Sequence, residues 1–583
     1  MFVALCRRYT KTRKIIRRAI QDSLRESPRV LIDITSGRLC DKSDQAISFE
    51  SSPVFMELIS STTAHTDRAR IKQEVAEYYR YVMLSHKWQD NEPLFEKVAH
   101  IVVYELEESL THNKLKIFCK IAQDAGFRWA WSDTCCINRT DHFVLQEALV
   151  SMFKWYEGSG LTIVFLLGVR SPSQRGDLVR SIWNTRAWTF QEYHASKVVR
   201  FYNEDWTPYM NLDIPNYKES PEIISEMEEA AGISAQALIA LRPGLDDIRE
   251  KLCLASKRKT SVPEDTAYSL LGIFSTSLPI VYGEGDKALG RLLAQLLTSS
   301  GETSILAWTG KSGNFNSCLP GNTIVFSQLS TTHIPPAIQG VEMNTITARL
   351  RAASLDLTLV TQLYDRLHEL PVSLFIGQRM KLPCITFKLG RVSASQSKSG
   401  SVYRAQTTAL GVVEIRSKED LSALSPLYLI HPWIDFLLDR HPVGSVREII
   451  PEENTDDQSS PTGELPPLPD PFDTKSVAPQ PRTSWLAANI GWPFGGQPNA
   501  SPQDAASLRP PSSLSEADKK MQALRLIARL RQPFGALLFT PTRQNVAEYR
   551  RVASESLITV QVEEITPAIL NKLVDSVRVF DVL

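Results

Sequence analysis

Tyr81-Val82-Met83-Leu84-Ser85-His86-Lys87-Trp88 is a short apolar run that ends abruptly in polar and ring-bearing side chains. Three similar runs follow, at 129–132 (WAWS), 162–167 (TIVFLL) and 197–202 (KVVRFY). Between the first two, residues 101–125 are helix-prone. Between the second and third, Leu145, Leu149, Met152, Phe153 and Tyr156 fall on one face at helical spacing. Strand, helix, strand, helix, strand predicts an α/β domain, a parallel sheet flanked by helices.

In an open parallel sheet the loops beyond the C-terminal strand ends converge, and ligands bind there. Ser85-His86-Lys87-Trp88 follows the first run, and Asp133-Thr134-Cys135-Cys136-Ile137-Asn138 the second. The loop after the third leads to Trp183-Asn184-Thr185-Arg186-Ala187-Trp188-Thr189-Phe190-Gln191-Glu192. Three polar clusters are therefore expected to face one cleft. If Asn184 or Thr185 caps a helix, Trp188 and Glu192 share a face at i, i+4. Ser85, Asp133 and Glu192 are the candidate catalytic residues, with Trp88, Asn138, Arg186 and Trp188 as candidate substrate contacts. Each has a structural alternative: Asp133 as a turn cap, Ser85 as a loop hydrogen bond, Glu192 as the partner of Arg186 or a lysine. Cys135 and Cys136 read as small buried hydrophobes, since a vicinal pair after aspartate is not a metal-ligand spacing.

Working outward, residues 1–75 read as a helical, basic segment and 76–205 as the α/β core. Seven basic residues and no acid lie in the first twenty positions, as in a transit peptide or the first helix of a soluble domain. Residues 206–310 read as a helical extension, with Ala288, Leu289, Leu292, Leu293, Leu296 and Leu297 forming an apolar stripe after the Tyr282-Gly283-Glu284-Gly285 turn. Residues 311–440 lean towards β structure, with candidate strands at 354–360 and 385–389. Fourteen of the 34 prolines fall between Pro442 and Pro511, so 441–515 is expected to be a disordered linker. Residues 516–583 read as a small α/β segment, helical over 517–531 and strand-like over 556–564.

The 583 residues hold 65 basic and 65 acidic side chains, a balance that argues against a nucleic-acid coat or a basic membrane-surface protein. No apolar run approaches the ~20 residues a membrane helix needs. Eight cysteines without regular spacing fit a reducing compartment, and the expected location is the cytoplasm. P-loop, H-E-x-x-H, paired C-x-x-C and G-x-S-x-G motifs are absent from the sequence. Gly310-Lys311-Ser312 lacks the upstream glycine of a P-loop, and Gly283-x-Gly285 reads as a turn. No metal or cofactor is implied.

Three blocks, YVMLSHKW (81–88), FRWAWSDTCCIN (127–138) and WNTRAWTFQE (183–192), resemble the fungal heterokaryon-incompatibility (HET) domain family. The third is the most specific, since the family is marked by Arg-x-Trp-Thr-x-Gln-Glu. The stretch from Pro263 to Phe274, followed by Tyr282-Gly283-Glu284-Gly285, resembles a segment that often follows the domain. Gln89, Arg139 and Ala187 stand where the family often has Gly, Gln and Gly.

The resemblance implies a role in allorecognition, in which cell death follows fusion of unlike hyphae. The lack of a standard catalytic motif and the Trp-rich block point to self-assembly or protein partners, while the charge balance and the short apolar runs argue against nucleic acid and a membrane span. The resemblance also implies a distant likeness to Toll/interleukin-receptor (TIR) domains, hence a TIR-like, flavodoxin-like core. Some TIR domains cleave NAD with a glutamate, and the matching position is Glu192. In that alternative NAD is a substrate. Glu192 would stabilise an oxocarbenium-like transition state, Ser85 and Asp133 would orient ribose hydroxyls, and Trp188 would wall the nicotinamide.

Overall fold

The computed structural model describes residues 2–61, 67–327, 355–397, 400–432, 515–542 and 547–583. The linker expected at 441–515 lies outside these residues except for Ser515, which caps the helix Glu516–Leu530 by accepting from Asp518 N–H.

Six strands form the first sheet: β1 (Val30–Asp33), β2 (Arg38–Asp41), β3 (Tyr81–His86), β4 (Trp129–Trp131), β5 (Leu161–Leu166) and β6 (Val199–Asn203), in the order β2-β1-β4-β3-β5-β6. The four expected strands pair in parallel, with β3 between β4 and β5 and with β6 beyond β5. Every residue of β3, β4 and β5 is buried, as continuous apolar strands covered on both faces require. The sheet is mixed, not purely parallel. The first 75 residues add the β1–β2 hairpin, which joins antiparallel to β4. Two four-residue strands are too short for a period to show against the basic helix before them.

Helices fill the connections where the apolar spacing placed them. Leu110–Asp124 starts at Ser109, whose hydroxyl accepts from His112 N–H at 3.1 Å. That helix begins later than the 101–125 expectation, because a separate 3-10 turn occupies Val103–Glu105. His142–Gly158 is capped by Asp141, and Trp188–Ala195 lies between β5 and β6. A satellite core at the N-terminal end packs Ile16, Ile20 and Leu24 of the helix Phe2–Arg25 against Phe49, Phe55, Ile71 and Val75. The helical extension shares the main core, since Ala267, Tyr268 and the leucine stripe of Lys287–Ser300 cluster with Trp131, Phe153 and Tyr156.

The remaining strands are β7 (Leu374–Ile376), β8 (Arg379–Lys388), β9 (Val392–Ser397), β10 (Gly400–Thr407), β11 (Gly411–Arg416), β12 (Tyr428–Pro432), β13 (Phe534–Pro541), β14 (Glu548–Arg551), β15 (Ile558–Val560) and β16 (Val577–Val582). Of these, β9–β11 form a three-stranded antiparallel meander. Pairing of β12 with both β13 and β8 closes β12-β13-β14-β16-β8 into a ring. Residues from either side of position 441 thus share one sheet. The strand expected at 354–360 is instead the start of a helix, Leu357–His368. Asp356 caps it through the Thr358 and Leu359 N–H groups, and Val360, Leu363, Tyr364 and Leu367 continue at helical spacing. Alternation over seven residues mimicked a strand until the longer period took over.

Candidate functional site at the strand ends

The three polar clusters do converge. Ser85, the fifth residue of β3, is fully buried, and its hydroxyl donates to Glu192 Oε2. The Trp183 indole N–H donates to the same Ser85 oxygen at 2.7 Å. One hydroxyl therefore joins the loop after β5 to the helix before β6. That helix starts differently from the expectation: Ser181, not Asn184 or Thr185, caps the preceding turn, and Trp188–Ala195 has no side-chain cap.

Asp133 is no turn cap. Its two oxygens take the His86 imidazole Nε2 at 3.0 Å and the Trp88 indole N–H at 2.8 Å. A carboxylate only accepts, so the imidazole carries its proton on Nε2. His86 Nδ1 is then an unprotonated acceptor with no hydrogen-bond partner among the described residues, 3.8 Å from Glu92 Oε1. Behind it Glu92 pairs with Lys114, and both side chains are buried. Burial, helped by the Lys114 charge, pushes the His86 pKa down and keeps the ring neutral.

Burial pulls both site carboxyls upward, but their net shifts are opposite. It raises Glu192 to about 7, with Asp133 adding to the rise and Ser85, Arg186 and Arg258 opposing it. Burial also pulls Asp133 upward, but the His86 hydrogen bond and the charges of Arg139 and Arg186 outweigh it and hold that carboxyl at about 2. A buried carboxyl near 7 beside a fully ionised one is an arrangement in which one group can give or take a proton at neutral pH.

The substrate candidates divide. Trp88 belongs to the network, with Arg139 stacked 3.8 Å from its ring centroid. Arg186 pairs neither with Glu192 nor with Asp133 directly; its guanidinium donates to the His86 carbonyl. Trp188 turns away from Glu192 and donates its indole N–H to Asp265 at 2.9 Å, where Tyr282 also donates at 3.0 Å. Asn138 stays outside the network, its side-chain oxygen accepting from Thr140 in a local turn. Cys135 and Cys136 are buried, as expected.

Residues from the extension complete the site, and the strand-end reading missed them. Asp265 and Tyr282 anchor Trp188, while Glu264 accepts from the Gly283 and Gly285 N–H groups at 2.8 and 2.7 Å. Arg258 donates to the Arg186 carbonyl at 3.1 Å and to Thr189 Oγ1 at 3.0 Å. The available signal was the family-like 263–285 segment itself. The departures from the family pattern leave the network intact. Gln89 bonds Lys114 and Glu92, Arg139 stacks on Trp88, and Ala187 sits at φ −68°, a conformation that needs no glycine. Among the described residues no cluster of three or more His, Cys, Asp or Glu is arranged to hold a metal, and no helix is long and apolar enough to cross a membrane.

Fold and site together define an α/β domain whose strand ends are locked by a buried polar network. Residues 81–181 match the family described as Heterokaryon incompatibility protein (HET). The chain is similar to the vegetative incompatibility protein HET-E-1 of Podospora anserina, 32% identical over 223 residues, which is 36% of this chain and 16% of that protein. No solved structure matches the chain. The likeness to the HET family is carried by residues 81–181, centred on β3, β4 and β5, and the matched stretch spans about a sixth of the relative's length.

Proposed function

We propose that this protein acts in heterokaryon incompatibility as an effector of non-self recognition, promoting cell death by assembly with itself or with protein partners. The HET match and the similarity to a vegetative incompatibility protein support the biological role. The observation that favours assembly over turnover is that the strand-end groups already engage one another. Glu192 is taken by Ser85, Ser85 by Trp183, and both Asp133 oxygens by His86 and Trp88. Such a network fixes loops, and fixed loops make a rigid recognition surface.

The test is regulated expression in a fungal host, scoring viability, with the size of the purified protein measured by light scattering. Under this reading Glu192→Gln, which keeps the shape of the side chain, still kills and still assembles. Loss of killing with assembly intact sinks it.

The second reading, an NAD nucleosidase in the cytoplasm, is favoured by one observation, the buried Glu192 carboxyl raised to about 7. Concentrated wild-type protein then consumes NAD and Glu192→Gln does not. Equal consumption by both removes Glu192 from the chemistry.

A further inference from the structure

The helical extension and the closed strand ring meet around a cavity of about 750 Å³. That is within the roughly 300–1,000 Å³ of small-molecule sites. One wall is the Trp308–Ser312 stretch that contains Gly310-Lys311-Ser312, and the other walls come from Lys418 and Glu419 and from the end of β14 with the residues after it. The first wall is tied to the last, because Gly310, at φ +102°, donates its N–H to the Ser554 carbonyl at 3.0 Å.

The charges around this cavity do not cancel. Four cationic side chains line it, Lys311, Lys418, Arg550 and Arg551, against two carboxylates, Glu419 and Glu555. Glu419 is taken by the Arg550 fork, at 2.7 and 3.3 Å, and by the Ala553 N–H. Glu555 is exposed and reaches Lys418 only at 3.9 Å.

Arg551 is the unusual member. It is 6% exposed, its guanidinium lies 3.9 Å from the Trp308 ring centroid, and it donates to the Leu306 and Trp308 carbonyls at 2.8 and 2.6 Å. Among the described residues no carboxylate lies within ion-pair distance of it. Carbonyl dipoles take two of its hydrogens without neutralising its charge. A buried cation without a counter-ion is costly unless an anion comes close. Its pKa is pushed down by burial to about 10, which is the same cost seen from the proton's side.

We propose that this cavity binds a phosphate-bearing metabolite of nucleotide size, its phosphate held by Lys311 and Lys418 in the field of Arg551. Arginine and lysine with nearby hydroxyls, here Thr309 and Ser312, match the several acceptor oxygens of a phosphate group. The site is separate from the strand-end network and does not rest on either reading of it. A ligand seated there touches both the end of the helical extension and the ring, so its binding strengthens the contact between them.

The test is calorimetric titration of the full chain with ADP, inorganic pyrophosphate and adenosine in separate runs, at low salt and without divalent cations. Saturable binding of ADP is expected, with none for adenosine. The double variant Lys311→Ala with Lys418→Ala, which changes only exposed side chains, should bind roughly tenfold more weakly or worse. Its unchanged melting temperature shows that folding is intact. Pyrophosphate binding as tight as ADP supports a site that reads the phosphates alone, and tighter ADP binding supports a nucleotide site. No saturable binding of either phosphate compound overturns the proposal. So does adenosine binding as tight as ADP, or a double variant that binds like wild type.

Discussion

Ser85 and Glu192, 107 positions apart, share a buried hydrogen bond that ties the end of β3 to the helix Trp188–Ala195. The hydroxyl is also the acceptor of the Trp183 N–H, so removing it strands two polar groups at once. Ser85→Ala is expected to lower stability by about 1–3 kcal/mol, read from urea unfolding at pH 7. A loss well under this range would mean that water or another group replaces the hydroxyl.

Glu192 also sets a pH dependence. Its folded-state pKa, about 7, is above the ordinary value of 4.5, so the native state holds the proton more tightly than the unfolded chain does. Stability from this group is full below about pH 4.5 and declines as pH rises through about 7. The decline amounts to at most about 3 kcal/mol. Glu192→Gln should flatten that part of the stability-versus-pH curve. An unchanged slope in the variant would assign the titration elsewhere.

Asp133 behaves in the opposite sense. Held at about 2, it contributes stability above the ordinary value of 3.8 and loses it as pH falls through about 2. Asp133→Asn keeps one oxygen for His86 or Trp88 but turns the other position into a donor facing a donor. A cost of about 1–3 kcal/mol at pH 7 is expected, together with a red-shifted or weakened Trp88 fluorescence as its indole is released. Wild-type stability and spectrum would show that the pairing is not formed in solution.

Gly272 packs directly on the Phe153 side chain, where an added Cβ would overlap the ring and its Cβ. The backbone angle at this position is ordinary, so space alone excludes other residues. Gly272→Ala should cost about 1–3 kcal/mol by overpacking and loosen the extension from the helix His142–Gly158. Faster proteolysis between residues 258 and 285, with the β3–β6 region spared, is the signature to look for. Uniform protection in the variant would disprove the contact.

Phe580 is fully buried in β16, stacked on Tyr549 at 3.9 Å between ring centroids and met edge-on by Tyr428 and Phe539. Phe580→Ala should cost about 3–5 kcal/mol, because three strands of the ring lose a common neighbour. Calorimetry that shows an unchanged melting transition would mean the ring is not held by this cluster.

The sequence by itself determined what depends on neighbours close in the chain. Four apolar runs placed β3 to β6, helical spacing placed His142–Gly158 and the leucine stripe, and the polar residues after each run marked the strand ends. The three sequence blocks around Ser85, Asp133 and Glu192 were enough to name the HET likeness. Only the tertiary structure decided which of those polar groups pair. Trp188 and Glu192 share a helix yet serve Asp265 and Ser85 respectively, because each side chain follows the surface packed against it. The β1–β2 hairpin and the β12–β8 closure were invisible for the same reason. A four-residue strand carries too little period to stand out, and pairing between residues 379–388 and 577–582 is fixed by burial in a shared core, which no local pattern records.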